Sequence, residues 1–256
     1  MAFRVPAARP LPDTAALTVV AMPAADASFN LFGIPLPQEQ ASTGGSPGSG
    51  GAPNSKGLLI WGPSSSASLC AVQIARASGV STIFVTASPQ RYALPTELGA
   101  TRCFDYRSPM VVDEITPGIE ESDTIVAYGL DAVGSRPGTE GSSATMLARC
   151  LAPEADLVSL VVQDDPCFRV PIATPNRDVT VRVAAVPRPF VIPARPADFE
   201  RAWRMLEWAI RGYGVRFRLP RVEVFEGSAE DALEELMGLA EGGRRFGKVV
   251  LRLPLA

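Results

Sequence analysis

Short apolar runs alternate with stretches of helical spacing from Gly57 onward, and this alternation limits the fold more than any other feature. "GLLIWG" (57–62), "STIFVTAS" (81–88), "TRCFDY" (101–106), "DTIVAYGLDAVG" (123–134) and "ADLVSLVVQ" (155–163) read as strands, and "DVTVRVAAV" (178–186) reads as a sixth. Between them, "SASLCAVQIARASG" (66–79) sets Leu69, Val72, Ile74 and Ala75 near helical spacing and ends at Gly79, a natural helix stop. "PQRYALPTELGA", "SPMVVDEI" and "GTEGSSATMLARCLAP" supply further helices. Strands that alternate with helices require right-handed crossovers, hence a parallel sheet. Unbroken apolar runs mark strands covered on both faces. The expected fold is a doubly wound α/β domain, with its ligand site at the carboxyl ends of the strands.

The flanks differ. Residues Thr14–Phe32 read as helical, with Pro23 either starting a second helix or kinking the first. Gly33–Lys56 is dense in Gly, Ser and Pro, as a flexible surface loop would be. "PADFERAWRMLEWAIRGYG" (196–214) is an amphipathic helix. "LPRVEVFEG", the helix "SAEDALEELMGLAEGG" and the strand "FGKVVLRL" follow it. This tail does not continue the doubly wound order, and its last strand must pair with something elsewhere.

Composition excludes whole classes of chemistry. The chain has 256 residues, 46% of them hydrophobic, and a net charge of −3. Its acids and bases are interspersed with no basic stripe, so nucleic acid is not an expected partner. No apolar run reaches the roughly 18 residues of a membrane span, and the N-terminus lacks the apolar core of a secretory signal. A cytoplasmic protein is the expectation. Histidine is absent, which removes Ser-His-Asp and Cys-His catalysis and the commonest metal ligand. Cys70, Cys103, Cys150 and Cys167 form no CxxC pair, so no metal site is expected.

The turn after the first strand reads Gly62-Pro63-Ser64-Ser65-Ser66-Ala67-Ser68. A pyrophosphate needs backbone N–H donors at a helix N-terminus, and serine hydroxyls add donors where glycines are lost. By spacing alone the turn is either a phosphate site or a Ser-rich helix cap. The second strand ends in "TASPQR" with no carboxylate for a ribose diol. Ser88 and the cationic Arg91 suit a 2′-phosphate there, which favours NADPH over NADH, unless Arg91 is only a solvated helix residue. Tyr106 closes the third strand, as an adenosine-side ring or a rim tyrosine. Asp131 ends the fourth, as a catalytic acid or, more commonly, a turn cap.

"LLIWGPSSSASLCAVQIARASG", "TASPQRYALPTELGATRCFDYRSP", "LDAVGS" and "FGKVVLRL" together resemble the medium-chain dehydrogenase/reductase superfamily. Within it, the chain is most similar to the zinc-free fungal trans-acting enoyl reductases that work beside polyketide synthases. The resemblance implies a Rossmann-type doubly wound sheet flanked by remnants of a GroES-like domain at both ends. It divides the chain into a linking helical segment (1–32), a Gly/Ser/Pro loop (33–56), an NADPH-binding Rossmann domain (57–195) and a return to the GroES-like domain (196–256). About a hundred upstream residues of that domain are expected to be missing.

By the same likeness, Gly62, Ser64, Ser65, Ser66, Ala67 and Ser68 meet the pyrophosphate. Ser88, Pro89, Gln90 and Arg91 hold the 2′-phosphate, and Tyr106 holds the adenosine end. Ser159 and Leu160 approach the nicotinamide. No catalytic residue and no metal ligand is assigned. The implied reaction is NADPH-dependent reduction of an α,β-unsaturated thioester, on a small-molecule or carrier-bound acyl substrate with a polyketide synthase as partner. Quinone or enone reduction is the neighbouring activity, and a truncated, non-catalytic paralogue is the other reading. Two departures stand out. Family members usually read Gly-Gly-Ser-Ser-Ser-Val-Gly at the turn, and they carry Thr-Ala where this chain has Pro23-Ala24.

Overall fold

A computed structural model describes residues 10–37, 56–62, 65–135, 141–182, 189–242 and 247–253. Most of the Gly/Ser/Pro stretch, together with Pro63 and Ser64, lies outside them. The first strand, β1 (Lys56–Trp61), sits centrally in a six-stranded sheet with β2 (Ile83–Ala87), β3 (Arg102–Asp105), β4 (Ile125–Asp131), β5 (Asp156–Ser159) and β6 (Phe168–Arg169). The order is β3-β2-β1-β4-β5-β6, and every pairing is parallel.

Strand periodicity divides the core between two faces. Leu58 and Ile60 of β1 point to one side, with Ile83, Val85, Leu130 and Val158. Leu59 and Trp61 point to the other, with Phe84, Phe104, Val126 and Leu157. Helices α1 (Leu11–Ala25) and α2 (Ser66–Ala77), and a long helix, Pro196–Arg211, cover the first face. Two helices, Val111–Glu120 and Ser143–Arg149, cover the second. A short helix, Ala93–Leu98, joins β2 to β3. In chain order these last four are α3 (Ala93–Leu98), α4 (Val111–Glu120), α5 (Ser143–Arg149) and α6 (Pro196–Arg211).

Small residues make α1 a core helix: Ala16, Ala21, Ala24 and Ala25 are buried with Leu17 and Val20. Pro23 stays within the helix and does not restart it. The chain then relaxes into a π-helical turn, Asp26–Leu31, where the Phe32 amide donates to the Ala27 carbonyl five residues back. A proline without an amide to donate and a π turn just beyond it form one irregularity in the ladder.

Two expectations change. The sixth strand of the sheet is the two-residue Phe168–Arg169 segment, not "DVTVRVAAV". Val179–Val181 (β7) instead pairs antiparallel with Phe190–Ile192 (β8) in a separate hairpin, and the rest of that run, 183–186, lies outside the described residues. The final strand, Lys248–Leu251 (β10), finds its partner close by. It pairs in parallel with Val222–Phe225 (β9), through the intervening helix α7 (Ala229–Gly242). Among the described residues no helix is long and apolar enough to cross a membrane.

Candidate functional site

The sheet order reverses between β1 and β4, and the crevice beyond their carboxyl ends is where a doubly wound sheet binds ligands. A cleft of about 1140 Å³ opens there. The strand ends are tied together at its base. The Ala132 amide donates to the Trp61 carbonyl, the Leu160 amide to the Asp131 carbonyl, each at 2.9 Å. The Gly62 amide donates to the Thr86 hydroxyl at 3.1 Å.

Gly62 turns the chain with φ +85°, and a Cβ there would lie 2.2 Å from a Val133 methyl. Only glycine fits, for conformation and for space. Ser65 caps α2: its hydroxyl oxygen accepts from the Ser68 amide at 3.1 Å. The Ser66 and Ala67 amides belong to the first turn of α2, where the helix offers no carbonyl partner. Neither makes a hydrogen bond among the described residues, and both residues line the cleft. The turn is therefore a helix cap and also a pair of presented donors. The structure shows the cap, and a cap does not exclude a phosphate site at the same turn.

Ser68 departs from its expected place. It is fully buried, and its hydroxyl donates inward, 2.7 Å from the Ser65 carbonyl and 3.0 Å from that of Gly62. It fills the position of the third glycine and ties the turn shut instead of facing a ligand. Ser64 lies outside the described residues.

Ser88, Gln90 and Arg91 reach the cleft wall at the end of β2, whereas Pro89 starts a 3₁₀ turn and is not among the lining residues. Tyr106 stands at the mouth, about half exposed. Arg107 lies over its ring at 5.3 Å and donates from Nε to its hydroxyl at 3.2 Å. Sequence reading missed Arg107, although it directly follows a residue singled out. It also missed Lys248, which enters the same cleft from β10. Val19 and Pro23 of α1 form part of the wall, as do Ser135, Ser143 and Met146 across from it. Three cations and no carboxylate stand in the described lining.

At the β4 and β5 ends, Asp131 is wholly buried and is a cap. Its Oδ1 accepts from the amides of Val133 and Gly134 at 3.1 and 3.3 Å, and its Oδ2 accepts from the Ser159 hydroxyl at 2.9 Å. Ser159 was expected at the nicotinamide side, but its side chain is committed inward. Its oxygen accepts from the Val161 amide and from Gln163. Leu160 alone of that pair lines the cleft. Among the described residues no cluster of three or more His, Cys, Asp or Glu could hold a metal.

Comparison with known proteins places this geometry. No family model matches the chain. The trans-enoyl reductase himH of Aspergillus japonicus is 33% identical over 145 residues, which are 57% of this chain and 38% of that protein. The dual trans-enoyl reductase/FAD-dependent monooxygenase tazHJ of Aspergillus terreus is 28% identical over 233 residues, 86% of this chain and 30% of that protein. The chain thus spans well under half the length of these curated relatives.

Among solved structures, an NAD-dependent alcohol dehydrogenase superposes with a TM-score of 0.65 at 16% identity, covering 98% of this chain and 61% of that one. A quinone oxidoreductase of Pseudomonas syringae gives 0.61 at 15%, covering 97% and 67%. The curated relatives thus include fungal trans-enoyl reductases, and the chain shares its fold with the alcohol dehydrogenase and quinone oxidoreductase structures.

Proposed function

We propose that this chain is the dinucleotide-binding part of an enoyl-reductase-like oxidoreductase, with NADPH as its cofactor. One observation carries the reading. Two presented amides at the start of α2 and the cations Arg91, Arg107 and Lys248 share one cleft that contains no carboxylate in its described lining. Helix-terminal amides suit a pyrophosphate, and a guanidinium pair suits a 2′-phosphate. The missing acid at the β2 end removes the usual partner of an unphosphorylated ribose.

The bound cofactor would supply a hydride. The chain's own residues bind and orient it. Ser66 and Ala67 donate to the phosphates, with Lys248 as counter-charge. Arg91 and Arg107 flank the adenosine end with Ser88, and Tyr106 offers a ring face. Leu160 closes the opposite end with an apolar surface. By homology with the trans-enoyl reductases, the acceptor is an α,β-unsaturated thioester presented by a polyketide synthase. The 57–195 segment is the cofactor domain in this reading, and 196–256 is the return to a GroES-like domain.

Titration of the chain with NADPH and with NADH, followed by nicotinamide fluorescence, tests the cofactor. NADPH should bind more tightly. Arg91→Ala and Arg107→Ala should each weaken NADPH about tenfold, the scale of one charge-assisted contact, and leave NADH nearly unchanged. Absence of binding by either cofactor at millimolar concentration refutes the proposal. Equal losses for the two refute the role of the arginines.

A further inference from the structure

The other end of α2 carries a second concave site, one helix length, roughly 18 Å, from the cap at Ser65. A pocket of about 640 Å³ lies between the last turns of α2, the end of α3 and the loop after α6. Among the described residues, Arg76, Arg216 and Arg218 line it, against the single carboxylate of Glu97. In a chain of net charge −3, this is a local excess of positive charge.

Each arginine is held by a different device. The stem of Arg76 lies along Gly99, where a Cβ would come within 2.9 Å of it. Its guanidinium makes no hydrogen bond or ion pair among the described residues. Arg216 lies 5.3 Å from the Trp208 ring, and its Nε occupies space that a Cβ on Gly212 would take, at 2.8 Å. Arg218 pairs with Glu97 at 2.6 Å. Its backbone is pinned to α2 from both sides. The buried Gln73 accepts from the Arg218 amide and donates to its carbonyl, each at 3.0 Å. Tyr213 braces the same loop, accepting from the Leu219 amide at 3.0 Å.

We propose that this pocket binds a phosphate dianion, free or as a small monoester. Guanidinium forks match phosphate geometry, and the stacking of Arg216 on Trp208 and the anchoring of Arg218 limit the freedom lost on binding. Three guanidiniums against one carboxylate leave two charges to neutralise, which a phosphate supplies near neutral pH. The volume falls within the range of small-molecule sites. Glu97 occupies Arg218 until a stronger anion arrives.

The test is isothermal titration of the full chain with inorganic phosphate and, separately, with glycerol 3-phosphate, at ionic strength matched with chloride. Arg76→Gln/Arg216→Gln should weaken binding about tenfold or more, while Arg252→Gln, outside both pockets, should leave it unchanged. Both altered arginines are exposed, and far-UV circular dichroism checks that the variant folds. Glu97→Gln releases Arg218 and should tighten binding severalfold. Tighter binding of the ester identifies an organic phosphate, and equal binding identifies the free ion. Phosphate affinity that is undetectable, or unchanged in the double variant, or lost equally in Arg252→Gln, overturns the proposal.

Discussion

Replacing Asp131 by alanine should cost this fold a large part of its stability. Three donors converge on the carboxylate: the Val133 and Gly134 amides and the Ser159 hydroxyl. Asp131 and Ser159 have no exposure, so the bond between them is sealed, whereas the Val133 and Gly134 amides are part-buried. A hydrogen bond to a charged acceptor contributes about 1.5–3 kcal/mol, and the buried Ser159 hydroxyl, left without water, loses it in full, while the part-buried amides lose less. The three are neighbours and will not add simply, so the expected loss is about 3–5 kcal/mol.

Asp131→Asn separates the parts of that figure. It keeps one acceptor oxygen for the two amides and gives up only the bond from Ser159, whose two lone pairs already serve the Val161 amide and Gln163. Its cost should be only about 1–2 kcal/mol. Urea unfolding of the three proteins, followed by far-UV circular dichroism and extrapolated linearly, gives both differences. An alanine variant within about 1 kcal/mol of wild type would refute the capping role, because no buried three-donor acceptor is lost so cheaply.

Three further outcomes are expected. Gly62→Ala should destabilise by at least about 1–2 kcal/mol from the positive φ alone, with more from the Val133 methyl, and a thermal melt unchanged from wild type would contradict the tight turn. Burial raises the Asp26 carboxyl above the usual value, against the lowering effects of Asn30 and of Arg195, which bonds it at 2.5 Å. The folded state then holds the Asp26 proton more tightly than the unfolded state. Wild type should therefore lose stability relative to Asp26→Asn as pH rises from about 4 through the raised folded value, and a gain over that window in urea titrations would reverse the sign. Burial pushes the Cys150 thiol up to about 12 and that of Cys70 higher still, whereas exposed Cys167 is raised chiefly by its hydrogen bond with Asp165. Ellman's reagent near neutral pH should modify Cys167 slowly and reach Cys70 and Cys150 only in denaturant; fast labelling of either in the native chain would show that the core opens.

The strands were legible because they are buried on both faces, and "LLIW" or "IFV" cannot be satisfied at a surface. Phe168–Arg169 was not legible. Two residues within "DDPCFRV" carry no run and no period, and only pairing with Leu157 and Val158 makes them a strand. The turn could be located but not oriented. Ser65 and Ser68 stand three apart, a spacing that lets the cap close on itself, and this sends Ser68 inward. Ser159 was misplaced for a related reason, since its position at a strand end was visible and its commitment to Asp131, 28 residues away, was not. Arg107 and Lys248 arrive at the cleft from different elements, and nothing local to either marks their convergence.

The position of α1 has a consequence for how the chain is made. Asp13 accepts from the Tyr213 hydroxyl across 200 residues, and Asp26 pairs with Arg195 across 169. On a ribosome adding roughly 5–20 residues each second, this helix waits about 10–40 s before its partners emerge. The side of α1 that meets α6 stays uncovered for that interval. Docking of α1 is then complete only when α6 has emerged, and a chaperone that shelters the α6-facing side of α1 in the meantime would raise the yield of folded protein.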